Sequence, residues 1–595
     1  MTTDTLFSPS AGLQSGQAPA AHDRPPLKPP TPQSGLARMG LLGTAAAALS
    51  ACGGGSDADP STGPGPGPGP GQDPAFPSTS AGPRPASVVE GARFLAQATP
   101  GYSAADLDAL MRLPSYEAWL QAQFALPRSR SHCDWMVDNG YDDPAHANAT
   151  RGLDNSIWRK LIASPDALRQ RVTLALSEIC VVSVLGVTSA WRQFSVGSYL
   201  DILEAYAFGN YRELLQHISL SPAMGSYLTF RGNAKGNPKT GSEPDENYAR
   251  ELMQLFTIGL VELNADGSVR LSAGQPVETY TQADVSGLAR VFTGWDLDKS
   301  GYGSPYPPAV HRRPMVQVAS RHEPGSKTFL GVTVPAGASG EAALSTALDT
   351  LFGHPNLPPF VARQMIQRLV TSNPSPAYVA RAAAAFANNG RGVRGDMQAL
   401  LRAILLDPEA RSPAQAAAPG FGKLREPVVR LLNWARAFGV RSTSGVWGIG
   451  DLSSPSSGLG QSPMRSPSVF NFFRPGYVPP DTALSARGLC GPEFQITTEV
   501  SVAGYVNYMQ RVIGNSFTGD LLADYGSLAP LAGDAAALAS QVNLLLAAGA
   551  LPAATLARIQ AAIDSIPAAA KDATRNRISI ALLLVLASPE YIAQK

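Results

Sequence analysis

The segment running from Ser164 to Val182 constrains the fold more than any other. It reads Ser164-Pro165-Asp166, then Ala167-Leu168-Arg169-Gln170-Arg171-Val172-Thr173-Leu174-Ala175-Leu176-Ser177-Glu178-Ile179-Cys180-Val181-Val182. After Arg171 it is apolar nearly all round, and a helix with no polar face belongs in the centre of a body. Ser164 is the expected N-cap, with Pro165 at the first helical position. Glu178 then lies inside the protein. An isolated buried carboxylate is costly, so it must be protonated, paired or hydrogen-bonded. Arg171, two turns earlier, is the local candidate partner and Arg250 the long-range one. Glu178 is thereby either half of a structural salt bridge or a site carboxylate.

A second stretch, Pro244 to Gly259, predicts one helix with two unlike faces. Pro244 suits its start, Asp245 and Glu246 sit at the positive end of the dipole, and Gly259 is a terminator. At 100° per residue Tyr248, Leu252, Leu255 and Phe256 share one face. The other face carries Glu246, Asn247, Arg250, Glu251, Gln254 and Thr257. Without a lysine, it is suited to a satisfied polar network or to lining a site.

The remaining body is read as mainly α, a large helical body with long loops. Leu263-Asn264-Ala265-Asp266-Gly267-Ser268-Val269 has the turn chemistry of a small β-hairpin. Residues 296–340 form a long excursion carrying His311 and His322. Long loops in compact bodies are often functional. Three helix junctions share small-residue punctuation around Ser164-Pro165, Asp407-Pro408 and Ser588-Pro589. The run Val469-Phe470-Asn471-Phe472-Phe473-Arg474-Pro475-Gly476-Tyr477 puts aromatics between prolines, for stacking on sugar rings, lining a hydrophobic cleft or packing a core.

The chain begins differently. Arg38, an apolar run from Met39 to Leu49 and Leu49-Ser50-Ala51-Cys52 follow the layout of an export signal. The run is too short to span a bilayer, and its end resembles a bacterial lipobox, which implies acylation of Cys52. Gly-rich and Gly-Pro repeats then extend to about Ala86, a composition that cannot offset its chain entropy by burial. The expected organisation is 1–52 leader, 53–87 disordered tether and 88–595 body, with lobes at 88–340 and 341–595. A net charge of +1 gives no long-range attraction to nucleic acid. Cys133, Cys180 and Cys490 allow at most one internal disulfide, and Cys180 reads as a buried thiol.

Taken together, Arg169-Gln170-Arg171 with Leu176-Ser177-Glu178-Ile179, Glu246-Asn247-Tyr248-Ala249-Arg250-Glu251-Leu252, Ala289-Arg290-Val291-Phe292-Thr293-Gly294-Trp295 and the aromatic run from Val469 to Tyr477 resemble the bacterial DUF1800 family over about 88–595. The resemblance implies an exported protein whose activity is not established. It also points to His322-Glu323 before Gly325 and Lys327, where members often have His-Asp, so here the carboxylate is moved by one methylene. Members often occur beside an exported sulfatase-like family, DUF1501, which implies such a protein as partner in a task on envelope or extracellular material.

Two functional readings stay open. The first is a hydrolase acting on envelope or extracellular polymer. Its catalytic groups would be Glu178, Glu246, Glu251 and His322, with Asn247, Arg250 and Lys327 binding substrate. Two carboxylates can divide acid and base roles, or Glu178, Glu251 and His322 can hold a divalent metal. The second is a non-catalytic cell-surface binding or assembly protein. Both place the body in the cell envelope, in the periplasm or at the outer membrane, anchored through Cys52.

Overall fold

A computed structural model describes residues 82–515 and 519–595. Cys52, the leader and nearly all of the tether lie outside the described residues. About half of the protein is helical, and the strands form five two-stranded pairs among the described residues. The main apolar core runs from Ala92 to Tyr591 and takes side chains from both 88–340 and 341–595, and a small second cluster gathers Cys133, Trp135, Met136, Trp191 and Phe194. No described helix is long and apolar enough to cross a membrane.

The Ala167–Ile179 helix is the axis of this core, and every one of its residues is buried. Helices Tyr116–Ala125, Leu153–Ala163, Arg192–Tyr206 and Leu357–Leu369 pack around it. Its start differs from expectation. Ser164 is the C-cap of the Leu153–Ala163 helix, so the new helix begins at Ala167 with Asp166 as its N-cap. Asp407 and Ser588, the other two punctuation sites, do cap the helices that follow them.

The stretch from Pro244 to Gly259 is also recut. Pro244 and Asp245 precede the helix, and the Asp245 carboxylate accepts from the backbone N–H of Asn247 (2.8 Å). An α-helical turn, Asn247–Glu251, leads into a π-helical turn, Leu252–Thr257. The Thr257 hydroxyl donates to the Leu252 carbonyl (2.6 Å). Gly259, at φ +72°, ends the element as a left-handed terminator should. Met253, at the edge of the predicted apolar face, is fully buried; Gln254 of the polar face lines a cleft, and Leu255 both packs against the core and lines that cleft. Such π turns are frequent at functional sites.

The tight turn after Leu263 is present, with Leu263 bridging Val269. Regular pairing comes just beyond it, between Leu271–Ser272 and Gln275–Pro276. Asn356 ties this region to the helical body by donating to Ile258 and Val261 carbonyls (2.9 and 2.8 Å) and accepting from Leu263 N–H (2.8 Å). The three described cysteines are free, and burial pushes the Cys180 thiol up to about 12.

Candidate functional site

Two buried helices, Ala167–Ile179 and Leu357–Leu369, bring their C-termini together. A helix C-terminus presents unpaired carbonyls and a partial negative charge, which cations satisfy. Arg368 donates to the Glu178 carbonyl (3.1 Å). Lys423 donates to the Arg368 carbonyl (2.8 Å), and Arg171 donates to the same oxygen. These cations then need carboxylates. The Arg368 guanidinium lies 3.5 Å from the Glu178 carboxyl. Lys423 lies 3.4 Å from Glu426 and 3.1 Å from Glu493. Gln461 donates to Glu426 at 2.9 Å. All of these side chains are less than 9% exposed.

Within the network Glu178 and Glu426 are neighbours whose charges act on one another. Two like charges side by side in a buried site disfavour ionisation of both, so a proton shared within the pair is favoured. Burial, the Glu426 charge and the hydrogen bond to it push Glu178 well above the ordinary carboxyl range. Burial works against ionisation of Glu426 too, but Lys423, the hydrogen bond from Glu178, Arg171 and Gln461 outweigh it and hold Glu426 at about 2. Burial and like charge thus press Glu178 toward the neutral acid, while Lys423 and its neighbours favour ionised Glu426.

Glu178 also lies at the edge of an open cleft of about 670 Å³. The Leu357–Leu369 helix forms one wall with Phe360, Arg363, Gln364 and Gln367. Gln364 donates to the Leu255 carbonyl of the π turn (3.4 Å), and Gln367 to the Pro475 carbonyl of the aromatic loop (3.3 Å). Leu255, Leu260, Val261 and Leu263 form a second wall, and Val469, Phe470, Tyr477 and Val478 a third. On its other side Glu178 meets a small void of about 20 Å³, room for one water. The Ser462 hydroxyl and Asn471 amide nitrogen, both from residues lining that void, have no protein partner. Buried polar groups of this sort are ordinarily met by ordered water.

The other residues predicted for a site lie elsewhere. Glu246 accepts from Ser286 (2.6 Å), Gln282 (2.8 Å) and Arg250 (3.1 Å) at the surface. Partial burial works to raise its pKa, but the bonds from Ser286 and Gln282 together with Arg250 bring it below the usual range. It joins two helices as a structural group. Glu251 is buried and raised by burial against the pull of Arg250, and it does not line the cleft. Arg250 belongs to the Glu246 surface cluster and also donates to Gln282 (3.1 Å), whereas the Asn247 amide donates to the Thr229 hydroxyl (3.5 Å). His322 is held at Nδ1 by the Thr293 carbonyl (3.0 Å), and burial lowers its pKa. The Glu323 carboxylate accepts from the Gly325 N–H (2.9 Å). Lys327 is fully buried in a hairpin, donating to the Gly325 carbonyl (3.2 Å).

The four predicted catalytic groups thus do not share one cleft. No three His, Cys, Asp or Glu side chains gather closely enough to hold a metal ion among the described residues. Glu178, Glu251 and His322 are not one ligand set. Neither proposed partner of Glu178 is its ion-pair partner: Arg171 serves the Arg368 carbonyl and Arg250 the surface. Sequence reasoning missed Glu426, Lys423, Arg368 and Glu493. The available signal was Lys423-Leu424-Arg425-Glu426 immediately before Pro427, a charged run entering a helix that is otherwise mostly apolar and buried.

No curated protein and no solved structure matches this chain. One family model does, that of DUF1800, described as a protein of unknown function, and it spans residues 93–593, including every member of the polar network and the cleft walls. With a match over that much of its length, the chain belongs to the DUF1800 family.

Proposed function

We propose that this is an exported, lipid-anchored envelope protein whose working site is the Glu178 cleft, and that it hydrolyses an envelope or extracellular polymer with Glu178 as general acid. One observation carries the reading: Glu178, whose carboxyl is pushed above the ordinary range by burial and by Glu426, is among the residues lining an open, largely apolar cleft. A carboxylic acid raised in this way is the form needed to protonate a leaving oxygen near neutral pH. In such a step water adds to the electrophilic carbon as the bond to the leaving oxygen breaks. Glu178 delivers its proton to that oxygen, and a proton from the added water restores the acid. Glu426 acts as a positioning residue by keeping that proton on Glu178.

A second reading is favoured by the composition of the cleft wall. Among the described residues that line it there is no serine, cysteine, histidine or second carboxylate, so a covalent route through those groups has no nucleophile there. The cleft would then serve binding alone, in a surface protein that assembles with a partner such as a DUF1501-like protein. Glu178→Gln separates the two. On a panel of envelope polymers and model esters, the enzyme reading expects turnover to fall at least 100-fold with ligand binding retained. Turnover equal to that of the unmodified protein would remove Glu178 as the acid. For the anchor, Cys52→Ala should move the protein from the membrane to the soluble fraction, and unchanged fractionation would refute lipidation there.

A further inference from the structure

We infer that the cleft binds an anionic amphiphile, with an unbranched hydrocarbon tail against the Leu255–Leu263 wall and an anionic head at Arg363 and Arg474. This rests on the proposal that the cleft is the working site and names the class of molecule it takes.

Charge is the first argument. The ionisable groups lining the cleft, apart from the Tyr477 phenol, are Glu178, Arg363, Arg368 and Arg474. Glu178 and Arg368 lie 3.5 Å apart, offset one another and are both committed to the internal network. Arg363 and Arg474 are exposed, and neither has a carboxylate within salt-bridge distance among the described residues. The Arg474 guanidinium lies 4.6 Å from the centre of the Phe470 ring. Stacking of that kind holds a guanidinium in place while leaving its N–H fork free for an anion. The cleft therefore offers net positive charge at its rim.

The walls supply the second argument. They are mostly aliphatic, and Leu260, Val269 and Val478 stand 56%, 41% and 37% exposed. Grouped exposure of large apolar side chains around a concavity marks a binding surface. A sugar would ask for convergent polar groups, yet the amide nitrogens of Gln364 and Gln367 are already spent on wall carbonyls. A hydrocarbon chain asks only for burial, which these walls provide.

The test uses the full chain and monomeric octanoate, decanoate and dodecanoate, followed by titration calorimetry. Affinity should rise about fourfold per methylene, from ~0.8 kcal/mol for each CH₂ buried. Dodecyltrimethylammonium, with the same tail and opposite charge, should bind at least tenfold more weakly than dodecanoate. The double variant Arg363→Gln/Arg474→Gln should lose about tenfold for dodecanoate and nothing for neutral dodecanol, whereas Leu260→Asp should weaken both. A flat chain-length series, equal binding of the two charges, or binding to phosphatidylglycerol vesicles without binding of monomeric dodecanoate overturns the inference. Binding of the series with no turnover of the ester and polymer panel removes the hydrolase reading and supports this one. Glu178-dependent turnover with a flat series does the reverse.

Discussion

Replacing Glu426 by Gln and Glu178 by Gln, each alone, should have unequal consequences although the two carboxyls belong to one buried network. Glu426 is held at about 2 against an ordinary value of 4.5, which corresponds to about 3 kcal/mol of stability at neutral pH. Removing it leaves Lys423 with Glu493 as its remaining carboxyl partner in a desolvated site, and breaking a buried pair typically costs ~3–5 kcal/mol. Unfolding entropy of ~2.1 cal/mol/K per residue makes ~1 kcal/mol equal to about 1 °C in a body of this size. Glu426→Gln should therefore lower the Tm at pH 7 by about 3–5 °C. Glu178 is already neutral, and a glutamine amide can donate to Glu426 as the acid did, so Glu178→Gln should cost no more than ~1 kcal/mol. The pH profiles follow with opposite signs. Glu426 stabilises the fold above its unfolded value of about 4.5, and that contribution is lost as pH falls toward 2. Glu178, raised in the fold, stabilises below 4.5 and loses its contribution as pH rises through its folded value. Calorimetric Tm from pH 2 to 9 should show a smaller acid-side loss in Glu426→Gln and a smaller alkaline loss in Glu178→Gln. Equal destabilisation by the two substitutions at pH 7 would show that Glu178 is an ionised partner of Arg368, and the proton assignment would be wrong.

Other substitutions test the surroundings. Gly259→Ala places a Cβ 3.0 Å from the Phe360 ring at φ +72°, so it should cost ~1–3 kcal/mol and weaken dodecanoate binding by disturbing the cleft wall, measured as Tm and titration together. His311 is pushed down to about 4 by burial, Arg231 and Lys299. It is neutral in the fold, so stability should fall as pH drops from about 6.5 to about 4, and His311→Gln should flatten that part of the Tm profile. His322→Gln removes a bond to Thr293, and neither residue lines the cleft. It should lower Tm slightly while leaving cleft affinity and any Glu178-dependent turnover unchanged.

The legible parts of this protein are those set by neighbours in sequence. The all-round apolar character of Leu174, Ala175, Leu176 and Ile179 announced a central helix, and that helix is buried throughout. The need of Glu178 for a partner was equally legible. The partner was not, because Arg368 lies 190 residues away and no local rule reports which helix end will arrive beside another. Glu246 shows the converse. On an unpaired helix its carboxylate and the nearby Arg250 look like site chemistry, but Gln282 and Ser286 from a later helix convert them into a surface tie. A 3.6-residue period puts Leu255 on the core face, and it does pack against the core, while the π turn at Leu252–Thr257 also brings it to the cleft. The aromatic run divides between the alternatives: Phe473 is buried in the protein, while Phe470 and Tyr477 line the cleft.

The protonated state of Glu178 follows from how the core is built. Two buried helices that end side by side present negative termini without water, so Arg171, Arg368 and Lys423 are drawn in to meet their carbonyls. Those cations in turn require buried negative charge, and Glu426 and Glu493 lie against Lys423. Once Glu426 is ionised, a second carboxylate beside it is disfavoured by like charge as well as by burial. Glu178 is the member that lines the cleft, with both carboxyl oxygens buried beneath its wall, so burial and the Glu426 charge favour its protonated form directly under the cleft surface. A structural network and an acid site are here the same set of residues. The decisive variant is Lys423→Met: with that cation gone, Glu426 should rise in pKa and compete for the shared proton. Infrared carboxyl bands should then show the Glu178 acid replaced by a mixed population, and an unchanged spectrum would break the link between architecture and acidity.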